Sequence, residues 1–83
     1  MIHHFRQRRR QENRRHFKRA YRSMFACLEA IYKISPSAAR AYAQEKLDDM
    51  PRIETFTGRP YARGMRAAIN AAYRKFDPSQ LGE

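Results

Sequence analysis

The sequence predicts an all-α protein, a small three-helix bundle with a long first helix and a basic N-terminal extension. Three observations carry that expectation. Gly is scarce, with three in 83 residues, while Ala, Arg, Gln, Glu, Lys and Met, which favour helix over strand, are plentiful. Apolar residues recur at helical spacing in three segments. Prolines fall where those segments start or stop, at Pro36, Pro51, Pro60 and Pro78. A chain of this length makes one small domain with a limited core.

The first helix is expected from about Arg6 to Lys33, a stretch with neither Gly nor Pro. At 100° per residue, Phe17, Tyr21, Met24, Leu28 and Ile31 fall on one stripe, with Phe25 and Tyr32 beside it. Opposite them Arg15, Lys18, Arg19 and Arg22 form a basic ridge. Before His16 the positive residues point in every direction, so that half has no face to bury. Residues 1–15 are therefore expected to be an arm or helical extension, residues 16–78 the three-helix domain, and residues 79–83 a polar tail.

Ser35 is a natural N-cap and Pro36 suits the first helical position, so a second helix is expected from Pro36 to about Met50. Ala39, Tyr42, Ala43, Leu47 and Met50 form its inner face. Glu45, Asp48 and Asp49 lie outward, the two aspartates against the macrodipole preference, which points to a basic neighbour or partner. Pro51 is expected to close this helix. Residues 52–59 then read as a connector, with short extended structure at residues 52–56 and with Ile53 and Phe56 tucked over the core. That gap is too long for the turn of a helix-turn-helix.

A third helix is expected from Pro60 to about Phe76. Tyr61, Met65, Ala68, Ile69, Ala72 and Phe76 share its inner face, and Arg63, Arg66 and Arg74 lie outward as a second basic ridge. Gly64 with Ala67, Ala68, Ala71 and Ala72 makes this helix thin, which permits close approach of another backbone. Phe5 and Tyr73 stand off the apolar stripes.

Function is expected to follow charge. Residues 6–22 hold nine Lys or Arg against one acid, Glu12, in a chain of net charge +10. Arginine far outnumbers lysine, and its planar fork holds phosphate bidentately and stacks on bases. Such density matches the composition of arginine-rich helical peptides that fold on RNA, and Gln11 and Asn13 are placed to read base edges. The expected function is a small, non-enzymatic nucleic-acid-binding accessory or regulatory protein. It holds RNA or DNA phosphates through Arg6, Arg8, Arg9, Arg10, Arg14, Arg15, Lys18, Arg19 and Arg22, extended by Arg63, Arg66 and Arg74. The alternative is a small inhibitor or adaptor, of the kind a phage or mobile element encodes, docking on an acidic protein surface with Phe5, Phe56, Tyr61 or Tyr73 as anchors. A homodimer is compatible with both.

The bland counterpart is a solvated charged helix that only aids solubility, yet so dense a positive block calls for something to offset its self-repulsion. The other aromatics read as core. His3, His4, His16 and Cys27 have no zinc-ligand spacing, the serines have no nucleophile elbow, and no metal, cofactor or enzymatic activity is expected. The single cysteine excludes an internal disulfide and suits a reducing compartment. No apolar run is long enough to span a bilayer and no secretion signal is visible, so a cytoplasmic protein without membrane partners is the expectation.

Overall fold

A computed structural model describes the backbone of residues 2–81 and the side chains of residues 8–81. The described residues are all-helical. α1 spans Ile2–Ile34, α2 Pro36–Asp48, α3 Met50–Thr57 and α4 Arg59–Phe76, and a 3-10 turn covers Pro78–Leu81. At about 1.5 Å per residue, α1 alone accounts for the longest dimension of the molecule, 51 Å.

Ser35 links α1 to α2 by itself and caps the second helix, its hydroxyl accepting from the Ala38 amide at 3.1 Å. So short a link folds α2 back along α1. Near the middle of this hairpin, Tyr42 lies beside Cys27, whose thiol, with burial, pushes the phenol pKa up. α4 instead runs parallel to α1. Gly64 meets Phe17 and Ala20, and Phe76 meets Phe25 and Tyr32 at ring separations of 5.9 and 5.3 Å.

The core is built of rows of residues spaced four apart along the helices. Ala20, Met24, Leu28 and Tyr32 descend α1, and Ala68 and Ala72 continue from Gly64 down α4. Met65, Ile69 and Tyr73 form a second row on α4, while α2 contributes Ala39 and Ala43 and α3 contributes Met50. The predominance of Ala and Gly brings helix backbones close. A Cβ at Gly64 would overlap the Phe17 carbonyl oxygen and come within 3.0 Å of the Ala20 Cβ.

The structure corrects the sequence reading in four places. The expected connector is helical, so there are four helices, and no extended structure occurs at residues 52–56. Pro51 opens α3 rather than closing α2, because a missing amide proton costs nothing in a first turn. Two threonines donate back to carbonyls one turn earlier, Thr55 to Pro51 and Thr57 to Ile53. Gly58 alone then joins α3 to α4 at φ +90°, shorter than the turn of a helix-turn-helix. Phe56 is 81% exposed rather than tucked over the core. It lies about 120° round α3 from the buried Met50, at 100° per residue. Tyr73 is buried rather than available as an anchor, because α4 packs on two sides.

Asp77 closes the bundle. It is the C-cap of α4, its amide donating to the Tyr73 carbonyl at 2.8 Å. Its carboxylate accepts from the Tyr32 hydroxyl of α1 at 3.2 Å, from the Arg40 guanidinium of α2, and from the Ser79 hydroxyl of the final turn at 3.1 Å. The Arg40 hydrogen bond holds the Asp77 carboxyl below its ordinary value against the opposing effect of burial, with Ser79 and Tyr32 helping. Burial first, and Asp77 second, pushes the Tyr32 phenol up to about 12.

Candidate functional site

Four cations of the domain are neutralised internally. Arg40 pairs with Asp77, Arg52 with Asp49, Arg59 with Glu54 and Lys75 with Glu29. The Arg52 pair, at 3.3 Å, gives Asp49 a basic neighbour, while Asp48 accepts from the Gln44 amide instead. Among the described residues, none of Arg8, Arg9, Arg10, Arg14, Arg15, Lys18, Arg19 and Arg22 forms an ion pair, and neither do Arg63, Arg66 and Arg74. All eleven are exposed. Arg6 and Phe5 lie outside the residues whose side chains are described.

The two basic ridges meet at one place. Because α4 begins alongside the middle of α1, Arg63 comes next to Arg14 and Lys18. Together with Asn13, Phe17 and Pro60 these residues line a groove of about 260 Å³. Phe17 and Pro60 give it apolar surfaces, and three cations stand at its edges. A second groove, of about 220 Å³, continues along α1 and is lined by Phe17, Lys18, Tyr21 and Arg22. Arg15, Lys18, Arg19 and Arg22 surround a third depression, of about 550 Å³, with Ser23 on the outward face of α1. Arg66 instead turns toward α3, where it shares a recess with Glu54, Arg59 and Arg63. Arg74 sits near the far end of α4 and lines none of these recesses.

No protein-family model, curated protein or solved structure matches this chain. The chemistry of the site therefore rests on its own residues.

Sequence reasoning placed Phe17 and Tyr21 in the core, and the structure leaves both half-buried. Their rings lie nearly parallel and offset one turn apart, with centroids 6.3 Å apart for Phe17 and Tyr21 and 6.0 Å for Tyr21 and Phe25. At Phe25 the row is covered, because Lys75 lies 5.6 Å over that ring while its ammonium reaches Glu29 at 3.9 Å. A local signal for this arrangement was present in the sequence. Phe17 and Tyr21, and likewise Lys18 and Arg22, repeat at four residues, which runs a row of rings and a row of cations about 100° apart along the helix. Cys27 is half-buried and lies on the α2 side, away from these grooves. No helix among the described residues is long and apolar enough to cross a membrane.

Proposed function

We propose that this protein binds nucleic acid through its phosphate backbone, with the unpaired cations of α1 as the main contact and Arg63 as their extension from α4. The observation that carries this reading is the division of charge. Asp77, Asp49, Glu54 and Glu29 pair with Arg40, Arg52, Arg59 and Lys75, while among the described residues no acid, Glu12 included, pairs with the exposed positive block on α1. Arginine forks on such a surface suit phosphate oxygens, since each offers two parallel donors. Counter-ion release then supplies affinity and makes it steeply salt-dependent.

The test is a titration of the purified protein with RNA, duplex DNA and heparin at low and near-physiological salt. With about six phosphates contacted, affinity for nucleic acid falls roughly 10³-fold between about 50 and 200 mM salt. Absence of binding to either nucleic acid at the lower salt overturns the proposal.

A second reading is docking on an acidic protein surface. The exposed aromatic ring of Phe56 favours it, since an aromatic side chain open to water on a short helix is an interface anchor in form. Co-purification that survives nuclease treatment and is lost in Phe56→Ala would select this reading over the first.

A further inference from the structure

We infer that the α1–α4 edge is a stacking platform for single-stranded nucleic acid, in which unpaired bases lie on Phe17 and Tyr21 and their phosphates on Arg14, Lys18, Arg22 and Arg63. This deepens the nucleic-acid reading above and rests on it.

The outward ridge of α1 is purely basic and suits any polyanion. The edge beside it differs, because it combines aromatic area with charge. Two grooves follow one another there and share Phe17 and Lys18. Each holds a half-buried aromatic side chain with cations at its rim. A duplex hides the faces of its bases and presents only phosphates and groove edges to a protein surface. A single strand presents both base faces and phosphates, and apolar ring faces flanked by cations match that pair of features.

The first groove has two further features that suit a base. Pro60 gives Phe17 an apolar neighbour from the opposite helix, and the Asn13 amide supplies both a donor and an acceptor for a base edge. The platform is also bounded. Lys75 over Phe25 occupies the next ring in the row, so the open stack comprises Phe17 and Tyr21 only. Two bases are the capacity of this edge. Phosphates on either side fall to Arg14 and Arg63 at one end and Arg22 at the other.

The experiment compares single strands of RNA and of DNA with duplexes of equal length, at one ionic strength, against the full chain and its variants. Unmodified protein is expected to bind single strands about tenfold or more tightly than duplex, the scale that stacking of one or two bases supplies. Phe17→Leu and Tyr21→Leu keep apolar bulk but remove the ring. Each is expected to weaken single-strand binding by about tenfold while leaving duplex binding and its salt dependence unchanged. Tyr21→Phe keeps the ring and is expected to bind as the unmodified protein does. Far-ultraviolet circular dichroism confirms that the variants remain helical.

A second measurement needs no variant. Ring protons of Phe17 and Tyr21 are expected to shift upfield on addition of single strands and not on addition of duplex. Equal affinity for single strand and duplex, with ring variants that bind normally and ring protons that stay in place, overturns the platform and leaves the phosphate contact standing. Failure of every nucleic acid to bind overturns both. RNA and DNA strands bound equally support base stacking on either sugar, and a preference for one names the strand.

Discussion

Gly64 puts two magnitudes in opposition. Replacing an interior helical Gly by Ala gains up to about 1 kcal/mol of helix propensity. Here the new methyl would overlap a backbone carbonyl of α1, and backbone yields less readily than a side-chain tip. Overpacking of this kind costs about 1–3 kcal/mol, so steric cost is expected to win. Gly64→Ala should lower the melting temperature, and a higher one would show that α1 and α4 separate without penalty. Asp77 makes a prediction of a different kind. Its carboxyl titrates below the ordinary value of 3.8 because Arg40 hydrogen-bonds the charged form. The stability it contributes is therefore fully present above pH 3.8 and is lost as pH falls through its folded value. Asp77→Asn should be less stable than the parent at neutral pH, and the gap between them should close below that point. At the alkaline end Tyr32 works in the opposite sense. With a folded value of about 12 against an ordinary 10.0, its contribution persists up to pH 10 and disappears as pH rises through 12. Denaturant midpoints measured across both ranges check the two signs.

At the scale of elements, α1 has two halves with different duties. From Ala20 to Tyr32 it supplies one core row, and from Arg8 to His16 every described side chain is exposed. Neutralising Arg8, Arg9 and Arg10 together to Gln should leave the thermal midpoint nearly unchanged. If all three meet phosphates, it should also reduce the slope of log affinity against log salt by about 3. An unchanged slope would confine the contact to Arg14 and beyond. The same helix shows what was legible beforehand. Its apolar stripe, the Ser35 cap and the thinness of α4 could all be read from the residues, since each depends on local spacing. Tyr73 could not, because a single-stripe reading assumes one packing face and α4 has two. Pro51 was ambiguous for a related reason. Proline both ends one helix and begins the next, and only the Met50–Ile53 packing decides between the two. In the site, the cations were legible as charge, but which of them gather was not. The juxtaposition of Arg63 with Arg14 and Lys18 depends on α4 running parallel to α1 and starting at its middle. That is a property of tertiary topology.

For the molecule as a whole, the net charge of +10 disfavours the compact state through self-repulsion. A bound polyanion relieves that repulsion and also stabilises by mass action. Heparin or an oligonucleotide should therefore raise the thermal midpoint, by an amount that declines as salt increases. A neutral polysaccharide of the same size should not.

Phe17 faces two ways. Its carbonyl oxygen lies against Gly64 inside the helix seam, while its ring lines the groove with Pro60 and Arg63. Anything lodged on that ring touches α1 and α4 at once, beside the close approach of the Phe17 carbonyl to Gly64. Occupancy of the groove and opening of the seam are thereby tied to a single residue. Slowed amide exchange at the buried positions Gly64, Met65 and Ala68 becomes a way to detect a ligand on the surface.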